Sequence, residues 1–154
     1  DNDPSQVVVS GHKDAVERAI EIAKDMGAKR AVLLPVSAPF HSELMAPAAL
    51  KMEDALSNTS VADPEVPVVS NVKAQAVASA VEIRSLLVAQ VTGVVRWRES
   101  IEWMASNGVK EMWEIGAGRA LSGMVRRIDR SISCSSVSKP EEVKKVILSQ
   151  NEMR

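Results

Sequence analysis

The spacing of apolar positions changes repeatedly along the chain, and these changes predict a mixed α/β fold. Apolar residues three and four positions apart, with charged residues between them, predict helices at 14–26, 44–56, 80–91, 98–107, 119–127 and 140–150. Shorter apolar or alternating runs predict strands at 6–10, 29–36, 66–70 and 109–115, and a serine-rich strand or loop at 132–137. Strands that alternate with helices are typical of α/β layers around a largely parallel sheet.

The first predicted strand begins only a few residues after Asp1, on which the sequence opens. A buried strand needs neighbouring strands to satisfy its backbone N–H and C=O groups. We therefore expect the sequence to be a portion of a longer protein. We also expect several apolar faces to lack a covering partner among these 154 residues.

Composition narrows the class of protein. A length of 154 residues fits about one domain, and 45% hydrophobic with 25% charged residues excludes a disordered chain. A net charge of -1 attracts neither nucleic acid nor an anionic membrane, and the apolar runs are shorter than the ~20 residues of a membrane span. The single cysteine, Cys134, excludes an internal disulfide and fits a reducing compartment. Without a recognisable secretion leader, we expect a soluble cytoplasmic protein with no nucleic-acid or membrane partner.

Two histidines are candidates for chemistry, and His41 has the more informative position. It lies in a loop between a predicted strand and a predicted helix, where ligand sites of α/β proteins usually form. An imidazole can act as a general base near neutral pH. The alternative is an ordinary loop histidine, and His12, which follows a turn glycine, is expected to be structural. Two histidines and one cysteine show no metal-ligand spacing, so we expect no metal site.

Gly116-Ala117-Gly118 lies between a predicted strand and a predicted helix, as a dinucleotide-binding loop would. Leu121 replaces the third glycine of that motif, and no acidic residue follows at the required distance. The favoured interpretation is a tight strand-to-helix turn, and we expect no bound cofactor.

Five segments are informative when they are taken together. They are 2–11 (NDPSQVVVSG), 36–42 (VSAPFHS), 67–72 (PVVSNV), 90–97 (QVTGVVRW) and 114–118 (EIGAG). In order and spacing they resemble the C-terminal half of the malonyl-CoA:acyl carrier protein transacylases of bacterial fatty-acid synthesis. Ala117 stands where that family often has proline.

The resemblance implies an α/β fold made of two parts. Residues 1–36 would be part of a ferredoxin-like small subdomain, and residues 37–154 would be the C-terminal portion of a hydrolase-like, parallel-sheet acyltransferase core. It also implies a two-step transfer, in which a serine takes malonyl from malonyl-CoA and passes it to the thiol of the acyl carrier protein. No cofactor beyond these substrates is implied.

The resemblance assigns roles to four residues of this sequence. His41 would be the catalytic base, and the backbone carbonyl of Gln90 would orient its imidazole. Phe40 would crowd a branched malonyl group, and Asn2 would lie near the site entrance.

The family's nucleophile motif, G-H-S-x-G, is absent from this sequence, as are its G-Q-G-S motif and the arginine that binds the malonyl carboxylate. A base without its nucleophile and oxyanion donors lacks the groups that supply most of the rate. We therefore expect the chain alone to be inactive and to need the N-terminal half of the same enzyme as its partner.

Arginines cluster on or near one predicted helix and could attract an acidic carrier or a phosphate-bearing substrate, and Arg126 and Arg127 are the candidates for docking the carrier protein. A solvated helix face is the alternative for these arginines. For the whole chain, two other functions remain open. One is a non-catalytic α/β binding module, and the other is the acyltransferase domain of a polyketide-type synthase.

Overall fold

A computed structural model of the chain describes residues 1–152, with side chains described as far as Leu148. Within these residues the helices are α1 (Lys13–Asp25), α2 (Ala46–Ser57), α3 (Ala80–Ala89), α4 (Trp97–Ser106), α5 (Ala120–Ile128) and α6 (Pro140–Glu152). The strands are β1 (Val68–Ser70), β2 (Gln75–Val77), β3 (Glu111–Ile115) and β4 (Ser133–Val137). A short 3-10 helix, Glu43–Met45, leads into α2.

The helices follow the predicted pattern closely. α1 ends at Asp25, and the chain turns at Gly27, whose φ of 91° lies in the left-handed region that favours glycine. Pro47 lies in the first turn of α2, where its missing N–H costs no helical hydrogen bond. All six predicted helices are therefore confirmed at nearly their predicted bounds.

β1 and β2 form an antiparallel hairpin in which Val68 pairs with Val77 and Ser70 with Gln75. The turn closes with a 2.8 Å hydrogen bond from the Ala74 amide to the Ser70 carbonyl. Ala74 takes a φ of 53° and is buried. β2 is a three-residue strand that the hydrophobic pattern does not predict, and this hairpin turn carries part of the site described below.

β3 and β4 pair in parallel, from Glu111 opposite Ser133 to Ile115 opposite Val137. α5 connects them, so the three elements form a βαβ unit. A small hydrophobic core, made by Ile101, Val125 and Ile132, lies beside this unit. Each of the three side chains is at most 4% exposed.

Two predicted strands, 6–10 and 29–36, are wrong for this structure, since neither segment is a strand. No strand of the described chain lies beside them, and Val7 and Val36 remain 70% and 61% exposed. An apolar run forms a strand only when a neighbour accepts and donates its backbone hydrogen bonds. The mixed α/β class is confirmed, whereas the parallel sheet is limited to one pair of strands.

Apolar side chains are exposed on several elements, as expected from the sequence. Ile115 of β3 is 76% exposed, Val81 of α3 is 77% exposed, and Met26 at the end of α1 is 83% exposed. Parallel sheets are normally covered on both faces and extended beyond two strands. The fold therefore presents surfaces that fit further polypeptide.

We predict that Ile101→Ala lowers the free energy of unfolding by about 2–5 kcal/mol, because Ile101 is fully buried and its truncation leaves a cavity. Urea unfolding followed by circular dichroism measures the change. Ile147→Ala, at a side chain that is 55% exposed, is the control and should cost far less. Equal losses in the two variants would contradict this location of the core.

Candidate active site

His41 lies in the loop that leads into α2, and its backbone has an unusual conformation. Its φ is 59°, in the left-handed region that non-glycine residues rarely adopt. The following residue, Ser42, donates a 2.7 Å hydrogen bond from its hydroxyl to the Pro39 carbonyl. The Ser42 carbonyl in turn accepts the Met45 amide at 2.9 Å, which begins the 3-10 helix. These hydrogen bonds fix the backbone around His41, whose imidazole remains exposed.

The His41 imidazole is held by a residue 49 positions away in the sequence. Its Nδ1 lies 2.9 Å from the backbone carbonyl oxygen of Gln90. A carbonyl can only accept, so Nδ1 carries the hydrogen in the neutral ring and Nε2 keeps a free lone pair. Gln90 follows the last residue of α3, where helix carbonyls lack intrahelical partners. The arrangement directs a basic nitrogen away from the helix end.

The side chain of Gln90 belongs to a second set of contacts. Its Oε1 accepts a 3.2 Å hydrogen bond from Asn71 Nδ2, in the turn between β1 and β2. The Asn71 carbonyl accepts the Arg96 amide at 3.2 Å. The Arg96 guanidinium donates to the carbonyls of Val72 and Lys73, each at 3.1 Å.

Glu99 faces the same guanidinium. Its Oε1 accepts a 2.9 Å hydrogen bond from Arg96 Nε, and its Oε2 accepts a second from the same group. These bonds hold the pKa of the Glu99 carboxyl below its usual value and raise the pKa of Arg96 further. Arg96 therefore stays charged, with its donors aimed at the hairpin turn.

Phe40 and Asn2, the two residues predicted to contact substrate, lie in different parts of the structure. Phe40 precedes His41 directly, and its side chain is 47% exposed beside the imidazole loop. Asn2 lies in an N-terminal turn, where its amide donates to the Gln6 carbonyl at 3.2 Å. Among the described contacts, none joins Asn2 to His41.

Asp3, next to Asn2, is buried and forms a strong ion pair with α5. Its Oδ2 accepts hydrogen bonds from Arg127 Nη2 at 2.7 Å and Nε at 3.0 Å. Its Oδ1 accepts the amide and hydroxyl of Ser5 at 2.8 and 2.6 Å. The Arg127 hydrogen bonds lower the pKa of the Asp3 carboxyl from 3.8 to about 2, although burial acts in the opposite direction.

The two arginines predicted to dock a partner therefore differ. Arg127 is engaged with Asp3, whereas the Arg126 guanidinium makes no hydrogen bond or ion pair among the described contacts and is exposed. Arg126 and Arg130 line an open cavity of about 940 Å³ that also reaches Cys134. Burial and the charge of Glu114 raise the pKa of the Cys134 thiol, which keeps it protonated and unreactive.

The glycine-rich turn after β3 is organised by Glu114. Its Oε2 accepts the Ser122 amide at 2.8 Å and its Oε1 accepts the Leu121 amide at 3.0 Å. These bonds to the first turn of α5 lower the pKa of the Glu114 carboxyl. Gly116 and Gly118 take φ values of 132° and 95°, as a tight turn requires. The amides that a phosphate would contact thus already have an anionic partner.

Two further classes of site can be assessed in the described part of the chain. No group of three or more histidine, cysteine or acidic side chains there is arranged to hold a metal ion. Over residues 1–152, no helix combines the length and hydrophobicity of a membrane span.

Comparisons with known proteins identify relatives at high similarity. The chain is 44% identical over 146 residues to the malonyl CoA-acyl carrier protein transacylase of Bacillus subtilis, covering 95% of this chain and 46% of that protein. A crystal structure of acyl-carrier-protein-S-malonyltransferase from Bartonella henselae is 50% identical, with a TM-score of 0.86, over 90% of this chain and 44% of that one. A malonyl-transacylase in complex with a type II PKS acyl-carrier protein is 40% identical, with a TM-score of 0.85, over 90% and 45% of the two chains. No protein-family model matches the sequence.

By sequence and fold together, the chain is a relative of acyl-group transferases. More specifically, it is homologous to the malonyl CoA-acyl carrier protein transacylases, so the predicted resemblance is confirmed. The chain spans about half the length of the curated relatives that it matches.

Sequence reasoning missed several residues that organise the site. Asn71 and Arg96 lie inside segments that resemble the family, but the sequence does not indicate their contacts, because their partners come from distant parts of the chain. Asp3 had a local signal, since an aspartate two residues before a serine in a proline turn favours a side-chain bond to the backbone. Glu114 had a weaker local signal in the sequence, because it is an acidic residue just before the start of a helix.

We predict that the Asp3–Arg127 pair makes stability depend on acid pH. Because folding lowers the pKa of Asp3 to about 2, the stabilisation is fully present above about pH 4 and is lost as the pH falls towards 2. Urea unfolding of the wild type and Asp3→Asn at pH 7, 5, 3 and 2 measures this. The difference between them should shrink with acidity, and the exposed Asp25→Asn serves as control. A pH-independent difference would contradict the assigned pKa.

Proposed function

We propose that this chain is the C-terminal portion of a malonyl-CoA:acyl carrier protein transacylase and supplies its general base, His41. The observation that carries the proposal is the 2.9 Å contact between His41 Nδ1 and the Gln90 carbonyl. An acceptor at Nδ1 fixes the tautomer in which Nε2 can take a proton from a nucleophile, the arrangement of catalytic triads. The homology supplies the reaction, and the geometry supports the role of the imidazole.

The reaction runs in two proton-balanced steps. In the first, His41 Nε2 takes the serine hydroxyl proton while the serine oxygen bonds to the malonyl thioester carbon. The C–S bond breaks, and the imidazolium returns the proton to the coenzyme A thiolate. In the second, His41 takes the proton of the carrier's pantetheine thiol, whose sulfur attacks the serine ester. The serine oxygen leaves and regains the proton.

The end of α3 suits this proton cycle. The C-terminal end of a helix is the negative end of its dipole, and the Gln90 carbonyl lies there. A positively charged imidazolium formed during either step is therefore favoured next to it. The exposed side of the ring leaves Nε2 open to the nucleophile.

The nucleophilic serine and oxyanion donors come from the N-terminal half of the same enzyme in this proposal. Residues 37–154, of which 153 and 154 lie outside the described residues, belong to a hydrolase-like core, and residues 1–36 belong to a ferredoxin-like small subdomain. The exposed Ile115 of β3 and the unpaired segments near Val7 and Val36 support this, because further strands would cover and pair them. The chain alone is then inactive.

Selectivity and entry involve two further residues. Phe40, beside His41 and half exposed, limits the space for a branched malonyl group. Asn2 contributes at the site entrance, and the turn that contains it is anchored by the ion pair of Asp3. The enzyme works in the cytoplasm on malonyl-CoA and the acyl carrier protein, without a cofactor.

Docking of the acidic carrier protein is assigned to the arginines of α5. Arg126 is exposed and borders an open cationic cavity, which supports a direct contact with acidic side chains. Arg127 adds positive charge to the same surface, although its guanidinium is also engaged with Asp3. The carrier thus approaches the side of the molecule on which α5 ends.

A polyketide carrier is the second candidate for the acceptor. One structural relative is a malonyl-transacylase bound to a type II PKS acyl-carrier protein. The same base and the same cationic surface would serve either carrier, so assays with both carriers decide between them.

We predict that His41→Ala and His41→Asn, in the full-length enzyme, each reduce malonyl transfer by about 10²–10⁴-fold, because each removes the base. Asparagine tolerates the positive φ of this position better than alanine, so it separates loss of the base from backbone strain. Transfer of radiolabelled malonyl to the carrier is the measurement, with His12→Ala as the control. Wild-type transfer by His41→Asn would remove His41 from the mechanism.

We predict that Arg126→Glu raises the KM for the carrier protein about 5- to 50-fold and leaves the coenzyme A half-reaction unchanged, because like charges then oppose docking. Arg127→Glu should raise the same KM and also lower stability, since it leaves Asp3 buried without its cation. Steady-state kinetics with thermal unfolding separate the two effects. A change confined to the coenzyme A step would contradict the docking role.

A further inference from the structure

Behind the carbonyl that contacts His41 lies a hydrogen-bonded network that ends at Arg96. We infer that Arg96 is a positioning residue for the general base and acts through Asn71 and Gln90. The inference rests on the proposed role of His41, and it adds to that role a residue that contacts neither substrate nor imidazole.

The end of α3 is restrained from outside the helix. The Gln90 carbonyl follows the last residue of α3, and terminal turns of helices fray readily. Its amide is fixed by a 2.9 Å bond to the Leu86 carbonyl, but nothing within the helix fixes the far end of the residue. The Asn71 amide group, 3.2 Å from Gln90 Oε1, supplies that restraint from the hairpin turn.

The turn that carries Asn71 is itself held by Arg96. Arg96 bonds to three consecutive residues of this turn, through its amide to Asn71 and through its guanidinium to Val72 and Lys73. One residue thereby holds the whole turn, and its guanidinium fixes the Val72 and Lys73 carbonyls. Lysine could not reproduce this pattern, because only the planar guanidinium offers several donors in fixed directions.

The Arg96 guanidinium is in turn held by Glu99. Arg96 immediately precedes α4, and Glu99 in the first turn of that helix binds its Nε and Nη2. The side chain is 40% exposed, so it is not required to fill the hydrophobic core. The network therefore joins the start of α4, the β1–β2 turn and the end of α3 to the base.

A rate effect follows from the geometry. Misplacement of a reacting group by about 1 Å can cost about 10²-fold in rate without loss of substrate binding. Loosening Arg96 is therefore expected to lower kcat while leaving KM nearly unchanged.

The test uses the full-length enzyme with Arg96→Met and Arg96→Lys. We expect kcat to fall about 10- to 100-fold, with KM for malonyl-CoA within about 2-fold of the wild type. Millimolar guanidinium chloride should restore part of the kcat of Arg96→Met. The matched control is Arg84→Met, since Arg84 also donates from a guanidinium to a backbone carbonyl, that of Thr59, and among the described contacts its side chain has no bond to Gln90 or to the β1–β2 turn.

Several outcomes overturn the inference. They are a kcat loss no larger than that of Arg84→Met, an effect on KM alone, or the absence of rescue by guanidinium. If Arg96→Met does not fold, Glu99→Gln replaces it. That variant keeps the guanidinium but loosens it, and an unchanged kcat there would equally overturn the inference. Activity retained in His41→Asn would refute the proposed function instead, so the two failures are distinguishable.

Discussion

The contact between an imidazole and a helix-terminal carbonyl is the constraint on which the site depends. His41 and Gln90 come from segments that share no secondary structure, and their 2.9 Å contact requires α3 to end at the correct place. The loop of His41 contributes a left-handed backbone conformation, and the end of α3 contributes an acceptor without an intrahelical partner. Each half of the contact therefore depends on its own local structure.

The sequence predicts local structure well and long-range pairing poorly, for a physical reason. Helices such as α1 and α5 have an apolar periodicity that can be read within a single segment. The segments 6–10 and 29–36 have the composition of strands, but a strand exists only with a partner. In a chain that spans about half the length of its relatives, that partner cannot be inferred from the apolar run itself.

The same distinction applies to the site. His41 could be found from its loop position, and its acceptor Gln90 only through the resemblance to a family. Arg96 could not be found by either route, because its contribution passes through backbone carbonyls of the hairpin turn. A backbone acceptor leaves no mark on residue type, so a sequence pattern cannot reveal which carbonyls an arginine will bind. The sequence likewise indicates only a surface charge at Arg127, whereas the structure pairs it with Asp3.

That ion pair also has a consequence for how the polypeptide acquires its structure. Asp3 and Arg127 are separated by 124 positions, so almost all of this chain must leave the ribosome before the aspartate can meet its cation. Contacts between residues so distant in the sequence form late, because the intervening loop must first close. Until then the Asp3 carboxylate has no cationic partner and remains hydrated. The ion pair can therefore form only after α5 has been synthesised.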